Sequence, residues 1–508
     1  MSNHLFNFIR QAAADGERPF LETPQGRKLG YADVVAGSAR FASALTALGV
    51  KPADRVAVQV EKSPEALLLY LGCVRAGAVF LPLNTAYTTA EIDYFIGDAE
   101  PSLFVGDPAR REALSGVAGK AKRLAVETLD AQGEGSLADR ARAEAPEFED
   151  IPRAPADLAA ILYTSGTTGR SKGAMLTHGN LASNALTLAR YWRFSEEDVL
   201  LHALPIYHTH GLFVATNTVL FCGASMIFMA KFDADEMLQQ MTRATVMMGV
   251  PTFYTRLLHH QGLNREAARH MRLFVSGSAP LLAETHREWQ ERTGHAILER
   301  YGMTETNMNT SNPYAGERVA GTVGYPLPGV TLRIAEPESG APLPKGGIGV
   351  IEVKGPNVFS GYWRMPDKTE AEFRKDGFFV TGDLGKIDEK GYVHIVGRGK
   401  DLVITGGFNV YPKEVEAEID AIAGVVESAV IGVPHADFGE GVTAVVVRQA
   451  GATLDEKALL AALDGRLAKF KLPKRVVFVE DLPRNTMGKV QKNLLREANK
   501  DLYAGRSR

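Results

Sequence analysis

The sequence predicts an α/β protein in which a large N-terminal domain, with layered α/β subdomains and a β-rich subdomain, precedes a small α+β C-terminal cap. Three observations predict this class. Helical patterns alternate with short β-branched runs through most of the chain, glycine and proline become dense between residues 321 and 361, and a shorter α+β pattern follows. At 508 residues with 45% hydrophobic residues, the chain is expected to form several domains.

The first two thirds of the chain supply the alternation of helices and strands. Residues 31–48 and 63–75 have helical apolar spacing, and residues 55–60 form a β-branched run between them. Similar short runs recur at residues 226–229, 244–249 and 273–276. Because strands that alternate with helices usually pair in parallel, we expect a large or duplicated parallel sheet.

The remaining elements predict the smaller parts of the protein. Strands at residues 349–354 and 392–396 lie among glycine-rich turns and indicate the β-rich subdomain. The cap is predicted to contain a helix, two strands, a helix and a strand, at residues 413–422, 427–431, 443–448, from 455, and 475–479. We therefore predict a large N-terminal domain over 1–399 and a cap over 400–508.

Composition argues against several classes of function. The 57 Lys and Arg residues are balanced by 60 Asp and Glu residues, a net charge of −3 that favours neither nucleic acid nor a membrane as partner. Cys73 and Cys222 lack the spacing of a disulfide framework or a zinc site. The longest apolar stretch, 66–83, is interrupted by Arg75 and Pro82, and the N-terminus lacks an export pattern, so a cytoplasmic protein is expected.

A hydroxyl-rich glycine loop at residues 163–173 is the strongest local signal for chemistry, and it follows an apolar run at 158–162. Small residues let backbone N–H groups approach phosphate oxygens, and Lys172 adds a mobile positive charge. The glycine spacing is too short for a P-loop, and Gly173 stands where a P-loop has Ser or Thr. The predicted polyphosphate contacts are Thr164, Ser165, Gly166, Thr167, Thr168, Gly169 and Lys172.

This loop resembles the signature of the adenylate-forming superfamily, which includes acyl-CoA synthetases, luciferases and peptide-synthetase adenylation domains. Further motifs follow in family order as far as Lys489, so the resemblance covers essentially the whole chain. It implies an ATP-dependent acid:CoA ligase with ATP and CoA as cosubstrates and Mg²⁺ as cofactor. It also implies that the cap is mobile and rotates between two orientations about a hinge at Lys400.

The same resemblance assigns a nucleotide site. Residues 301–305 match the family's second nucleotide motif, in which Thr304 contacts phosphate and Glu305 holds Mg²⁺. By the resemblance, Asp383 accepts hydrogen bonds from the ribose hydroxyls, and Arg398 contacts the nucleotide. The remaining nucleotide contacts are Gly277, Ser278, Ala279, Pro280, Glu299, Tyr301, Gly302 and Met303, with Tyr301 packing on the base.

By resemblance, group transfer depends on the cap. Lys489 would bridge the carboxylate and the α-phosphate during adenylation, and rotation would then bring Gly406, Gly407 and Phe408 to the thiol channel. Acetylation of Lys489 would remove its charge, which makes a protein lysine acetyltransferase and a deacetylase candidate partners. CoA is favoured over a carrier-protein arm because the sequence ends after one cap.

Arg300 is the residue that points to a particular acid. It precedes Tyr301 at a position beside the acyl pocket, where many relatives have a small residue. A guanidinium there could pair bidentately with a second carboxylate, whereas the alternatives are a surface position or an internal pair with Glu299. Residues 299–305 and 207–212 together look most like malonyl-CoA synthetases, which implies malonate as the substrate.

The remaining pocket residues complete the hypothesis. His208 matches a family histidine near the acyl and phosphate groups, His210 and Ser278 are candidates for the distal carboxylate, and Thr252 for the pocket wall. The catalytic candidates are Lys489, Thr304, Glu305 and His208. Alternative acids are methylmalonate, succinate and acetate, and the alternative of another class is an inactive nucleotide-binding protein.

Overall fold

The computed structural model describes residues 2–112, 116, 124–164, 171–279, 281, 283–398, 403–410, 412–449, 451–483 and 490–504. The chain divides into two compact units. The first contains residues 1–85, 93–162 and 173–396, and the second contains residues 86–92, 163–172 and 397–508. The predicted boundary between residues 399 and 400 falls outside the described residues.

The largest sheet contains nine of the described strands. Their spatial order is Tyr325–Pro326, Asn307–Ser311, Leu298–Met303, Leu273–Ser276, Val246–Gly249, Val199–His202, Ser225–Phe228, Pro19–Glu22 and Lys28–Gly30. Pairing is parallel from Leu298–Met303 through Pro19–Glu22 and antiparallel at both edges. The central strands are apolar and buried along their length, as expected when both faces of a sheet are covered.

A second sheet contains six of the described strands, in the order Ala125–Thr128, Leu103–Gly106, Arg55–Gln59, Val79–Pro82, Leu158–Thr164 and Lys172–Thr177. The first five pair in parallel. The strand predicted at residues 55–60 is confirmed. Leu158–Thr164 and Lys172–Thr177 flank the hydroxyl-rich loop, whose residues 165–170 lie outside the described part of the chain.

Local signals account for where the helices begin. Helix Pro64–Arg75 starts at a proline, and the Oγ atom of Ser63 accepts a hydrogen bond from the N–H of Ala66 at 3.2 Å. The described α-helices are His4–Ala12, Tyr31–Ala47, Pro64–Arg75, Thr89–Ala99, Ser136–Ala143, His178–Tyr191, Asn217–Cys222, Ala234–Met241, Pro251–Leu258, Ala283–Thr293, Pro366–Glu372, Pro412–Asp420, Glu456–Leu463 and Lys492–Ala498. Among them, none is both long and apolar enough to cross a bilayer.

The glycine-rich region contains a separate sheet with the strand order Thr331–Ala335, Gly349–Lys354, Phe379–Ile387 and Val393–Arg398. The first three of these strands pair antiparallel. This sheet confirms the predicted β-rich subdomain, and the strand at residues 349–354 has the predicted bounds.

The second unit has its own sheet and core. Its strands are ordered Phe408–Val410, Val403–Thr405, Gly439–Arg448 and Val425–His435, and Arg475–Val479 pairs with Gly439–Arg448 in parallel. Buried Val and Ala side chains of these strands pack against Val, Ile and Leu side chains of helices Pro412–Asp420 and Glu456–Leu463. The fold class is confirmed: a large α/β part with a β-rich sheet, followed by a smaller α+β part.

Candidate active site

The predicted acyl-site residues lie where parallel strands of the nine-stranded sheet have their carboxyl ends, which we call the sheet edge. Three strands running in the same direction end there: Val199–His202, Leu273–Ser276 and Leu298–Met303. In such sheets ligand sites form outside the carboxyl ends of the strands. Residues 207–210 follow the first strand, Gly277 and Ser278 follow the second, and Arg300 lies within the third. Segments far apart in the sequence therefore meet at this edge.

Arg300 has a buried side chain with unused hydrogen-bond donors. It is 3% exposed, and its Nε and Nη2 atoms have no hydrogen-bond partner among the described residues. Burial lowers the pKa of Arg300 to about 9, and the Tyr254 hydroxyl opposes this shift, so the guanidinium stays charged at neutral pH. Removing an ion from water without a partner costs several kcal/mol. The guanidinium is therefore expected to bind an anion.

Glu299 does not pair with Arg300. Successive residues of a strand point to opposite faces of the sheet, so the two side chains face apart. Oε1 of Glu299 accepts a hydrogen bond from the Gly321 N–H at 3.2 Å and lies 3.3 Å from Nδ1 of His286. Burial raises the pKa of Glu299, and the bonds to His286 and Gly321 oppose that shift. The internal pair that the sequence left open is absent, and the adenine role of Glu299 stays a prediction.

Two neutral imidazoles lie within the electric field of Arg300. Burial first, and the Arg300 charge second, lower the pKa of His208 to about 4. The same causes, followed by His208 and His202, lower the pKa of His210 well below its usual value. Nδ1 of His208 accepts a hydrogen bond from the backbone N–H of His210 at 3.2 Å. Both rings are uncharged at pH 7, and each can still donate from one nitrogen.

Ser278 orients His210. The backbone of Ser278 has φ +71°, in the left-handed region that non-glycine residues seldom adopt, and its Oγ lies 3.2 Å from Nδ1 of His210. When the hydroxyl donates to Nδ1, the ring proton must sit on Nε2. Nε2 is buried and has no partner among the described residues. In this tautomer Nε2 of His210 is a second donor at the site of Arg300, and the two side chains together suit a carboxylate.

Two predicted nucleotide contacts touch each other directly. Oη of Tyr301 donates a hydrogen bond to Oδ2 of Asp383 at 2.5 Å, although 82 residues separate them. Asp383 lies in strand Phe379–Ile387, and its backbone N–H donates to Oγ1 of Thr381 at 3.1 Å. The residues assigned to base packing and to ribose binding are therefore held together across two sheets of the first unit.

Glu305 is buried in the turn at residues 304–306, which it shares with Thr304. Oη of Tyr362 lies 3.0 Å from Oε1 of Glu305 and 2.6 Å from Oε2 of Glu372. Burial and then the two carboxylates raise the pKa of Tyr362, so the hydroxyl keeps its proton. Its single proton can be donated to one carboxylate at a time, so Tyr362 links Glu305 to Glu372.

Some predicted residues lie in the second unit. Oγ1 of Thr164 is 3.5 Å from the carbonyl oxygen of Lys172, and Lys172 is buried. The phosphate contact of Lys172 stays a prediction. Gly406 and Gly407 have φ of +57° and +82°, and Phe408 stacks on Phe470 with ring centroids 4.6 Å apart. The approach of these three residues to a thiol stays a prediction.

Other predicted residues lie outside the description. Residues 165–170, Pro280, Lys400 and Lys489 are not among the described residues. The backbone of Arg398 ends strand Val393–Arg398, but its side chain is not described. The roles of these residues rest on sequence alone.

Comparison with models of protein families shows to which family the chain belongs. A model of AMP-binding enzymes matches residues 8–363. The chain belongs to the AMP-binding enzyme family. A model of the AMP-binding enzyme C-terminal domain matches residues 414–489, which include Lys489. The predicted membership of the adenylate-forming superfamily is confirmed.

Individual relatives of the chain differ in the acyl group or ligand that their names give. The crystal structure of ATP-bound MatB from Rhodopseudomonas palustris is 66% identical, with TM-score 0.79, and the match covers 99% of this chain and 100% of that one. A malonyl-CoA ligase in a product complex with methylmalonyl-CoA and AMP is 35% identical, with TM-score 0.82, covering 94% and 100%. A feruloyl-CoA synthase from an Amycolatopsis species is 37% identical, covering 93% and 94%.

The structure of this AMP-binding enzyme also reveals a buried contact that no motif predicted. Nζ of Lys62 donates to the carbonyl oxygen of His202 at 2.9 Å and lies 3.0 Å from its Nδ1. Nε2 of His202 in turn lies 3.0 Å from the oxygen of Gly211, in the π-helix His210–Thr216. Burial lowers the pKa of Lys62 well below its usual value. The single sequence signal was a histidine interrupting the apolar run at residues 199–206.

Proposed function

We propose that the protein is an ATP-dependent malonate:CoA ligase, which forms malonyl-CoA, AMP and pyrophosphate through a malonyl-AMP intermediate. The observation that carries the proposal is the buried guanidinium of Arg300, whose Nε and Nη2 atoms have no partner among the described residues. Membership of the AMP-binding enzyme family supports the use of ATP. The ATP-bound relative at 66% identity and the malonyl-CoA ligase at 35% identity support the acid and the thioester product.

The distal carboxylate of malonate matches the unused donors at the sheet edge. A guanidinium can bind both oxygens of a carboxylate through parallel N–H groups, and Nε2 of His210 offers a further donor. A monocarboxylic acid would leave these donors buried and unpaired, at about 1–3 kcal/mol for each lost hydrogen bond. A site of this kind therefore discriminates against acetate.

In the first half-reaction, the other carboxylate of malonate attacks the α-phosphorus of ATP. A carboxylate oxygen forms a bond to phosphorus, the bond to the bridging oxygen breaks, and pyrophosphate leaves. The substrate itself is the nucleophile, so the protein contributes orientation and charge stabilisation. By family resemblance Lys489 supplies that positive charge, and its acetylation by a lysine acetyltransferase would abolish this step until a deacetylase restores it. The cytoplasmic location likewise stays a prediction.

In the second half-reaction, the sulfur of CoA attacks the acyl carbon of the mixed anhydride. A carbon–sulfur bond forms, AMP leaves with the electrons of the carbon–oxygen bond, and the thiol proton is released. The turn at residues 406–408 is proposed to approach the thiol, again by resemblance. The two steps would use one acyl pocket in sequence.

The surroundings of Glu305 fit a magnesium ion shared with the nucleotide. Mg²⁺ is usually bound by one or two carboxylates together with substrate phosphates. The carboxylate of Glu305 is buried, and its Oε1 lies 3.0 Å from the Tyr362 hydroxyl, which also contacts Glu372. Within the described residues, no group of three or more His, Cys, Asp or Glu side chains could hold a metal by itself. When bound, the ion would neutralise phosphate charge and favour departure of pyrophosphate.

Methylmalonate is the second candidate acid. The malonyl-CoA ligase relative is seen with methylmalonyl-CoA and AMP. A methyl branch leaves both carboxylates in place, so it preserves the pairing with Arg300. The feruloyl-CoA synthase at 37% identity shows that overall similarity at this level does not decide the acid. The residues of the pocket must decide it.

The test compares AMP and acyl-CoA formation from Mg-ATP and CoA with malonate, methylmalonate, succinate or acetate. The native enzyme is expected to prefer malonate. Arg300→Ala should lower kcat/KM for malonate by about 100-fold, because a charge-assisted pair is worth about 3 kcal/mol, and should change that for acetate by less than threefold. Arg300→Lys keeps the charge but lacks the two parallel N–H donors of a guanidinium. Its kcat/KM for malonate should lie between those of the native enzyme and Arg300→Ala.

Equilibrium binding of ATP to each variant serves as the control for folding. Strong acetate use that is unaffected by Arg300→Ala would reject the dicarboxylate assignment and leave a general acid:CoA ligase. ATP binding without pyrophosphate release for any acid of the panel would instead favour the inactive nucleotide-binding protein.

A further inference from the structure

Gly277 occupies the position directly beside Arg300 in the sheet. In the parallel register of strands Leu273–Ser276 and Leu298–Met303, Ser276 pairs with Glu299. The next position along each strand therefore places Gly277 opposite Arg300. Neighbouring strands lie about 4.8 Å apart, and residues in register point to the same face. A side chain at residue 277 would share its face with the guanidinium.

The space that such a side chain would need is occupied. A Cβ atom placed on Gly277 would lie 2.4 Å from Cζ and from Nη1 of Arg300, and 2.6 Å from Nε. Non-bonded heavy atoms are most favourable at about 3.5–4.0 Å, so one of the two groups would have to move. The residue Arg300 is 3% exposed. It cannot swing into solvent without displacing packed neighbours.

The neighbours of the guanidinium limit where it could go. The side chain of His210 is buried, and the charge of Arg300 contributes to the lowered pKa of both His208 and His210. Ser278, the residue after Gly277, holds Nδ1 of His210 at 3.2 Å. Displacing the guanidinium away from Gly277 would therefore change the arrangement of donors around the anion position.

We propose that Gly277 is a specificity-determining residue, because the lack of a side chain there leaves room for the Arg300 guanidinium at the position from which it binds the distal carboxylate. This inference rests on the proposed dicarboxylate ligase function. It assigns Gly277 a role different from the adenine contact implied by family resemblance. The two roles predict different outcomes for a substitution at Gly277. The proposed role predicts weaker use of malonate, whereas an adenine contact predicts weaker binding of ATP.

The first experiment measures the effects of Gly277→Ala on the two substrates separately. KM for malonate should rise by at least about tenfold, the scale of coupling between contacting residues. The dissociation constant of ATP, measured by calorimetry without any acid, should change by less than about twofold. A loss of ATP binding as large as the loss for malonate would overturn the proposal, and so would an unchanged KM for malonate.

The second experiment repeats the substitution in the Arg300→Ala background, where the guanidinium is absent. If Gly277 acts through Arg300, adding Gly277→Ala there should change kcat/KM for malonate by less than about twofold, and the denaturation midpoint should be unaffected. An equal loss in both backgrounds would overturn the proposal. If Gly277→Ala alone fails to fold, the double variant should recover folding, and its failure to do so would also overturn it.

The outcomes separate this inference from the proposed function. Arg300→Ala alone tests whether the guanidinium recognises the acid, and its lack of effect on malonate would reject the dicarboxylate assignment. The denaturation midpoints of the four proteins in the cycle report the contact between residues 277 and 300 independently of any substrate. A loss of malonate use in Arg300→Ala, together with additive effects of Gly277→Ala, would reject only the role of Gly277.

Discussion

At the residue scale, buried polar groups without partners divide into those at the sheet edge and those elsewhere. Arg300 and His210 belong to the first kind, and they are proposed to bind an anion. His178 belongs to the second: it is fully buried at the start of helix His178–Tyr191, and neither ring nitrogen has a partner among the described residues. Burial, followed by the Arg153 charge, lowers the pKa of His178 to about 4, and Asp157 opposes the shift. We therefore expect the buried ring of His178 to lower the free energy of unfolding.

We predict that His178→Phe weakens the acid sensitivity of the fold. Between the pKa of an unfolded histidine, about 6.5, and the folded value of about 4, the unfolded chain binds more protons, so the free energy of unfolding falls as pH falls through this window. One excess proton accounts for at most about 1.4 kcal/mol per pH unit. Phenylalanine keeps an aromatic ring and removes that proton.

The measurement is urea unfolding of the native protein and His178→Phe at several values between pH 6.5 and 4.5. The variant should lose less stability per pH unit, although His208 still contributes, since its pKa is also lowered to about 4. Parallel profiles for the two proteins would contradict the prediction.

At the scale of elements, the π-helix His210–Thr216 is fixed by contacts from elsewhere in the chain. Oγ1 of Thr216 donates to the carbonyl oxygen of Gly211 at 2.9 Å, and His202 approaches the same oxygen. Lys62 holds His202 from the segment before helix Pro64–Arg75. π-Helical turns are frequent at functional sites, and this one begins with a residue of the proposed anion site. Its position thus depends on a buried lysine.

We predict that Lys62→Met destabilises the protein by about 1–3 kcal/mol. Methionine fills a similar volume but leaves Nδ1 of His202 without its donor, and a buried unpaired acceptor costs about that much. The carbonyl oxygen of His202 still accepts a hydrogen bond from the Met229 N–H at 3.0 Å. KM for malonate should also rise, because the π-helix carries His210. Urea unfolding and steady-state kinetics measure the two effects. Lys51→Met makes the same change at an exposed lysine and should alter stability by less than about 0.5 kcal/mol; equal results for the two variants would refute the role of Lys62.

At the scale of the whole molecule, the first half-reaction is proposed to depend on a residue near the end of the chain. Lys489 lies outside the described residues, and its role rests on family resemblance. A lysine that acts on the carboxylate and the α-phosphate is needed while the adenylate forms. It has no assigned task once pyrophosphate has left.

We therefore predict that Lys489→Ala separates the two half-reactions. Formation of malonyl-AMP from malonate and ATP should fall by at least about 100-fold, whereas conversion of supplied malonyl-AMP and CoA to malonyl-CoA should change by less than about threefold. Pyrophosphate release measures the first step and thioester formation measures the second. Stoichiometric acetylation of Lys489 should reproduce the variant. A comparable loss in both steps would contradict the prediction.

Local sequence patterns determined much of the fold and the family. The strands at residues 273–276, 349–354 and 475–479 have the predicted bounds, because β-branched and apolar runs between turn residues are local signals. Helix Pro64–Arg75 was likewise predictable from its cap. The ordered motifs indicated the adenylate-forming superfamily because each motif is a contiguous string, and Arg300 within one of them indicated a second carboxylate on the acid.

Tertiary structure alone decided which residues of distant segments are in contact. Strand Val425–His435 extends beyond its predicted end through Pro434, a residue with poor strand preference, because pairing with Gly439–Arg448 overrides local preference. The bond from Tyr301 to Asp383, the chain from Lys62 to Gly211 and the fit of Gly277 against Arg300 all depend on register and burial. Register is set between strands distant in the sequence, so no local pattern contains it. The sequence alone identified the arginine. Only the fold showed that it is buried beside a glycine and that two of its donors have no partner among the described residues.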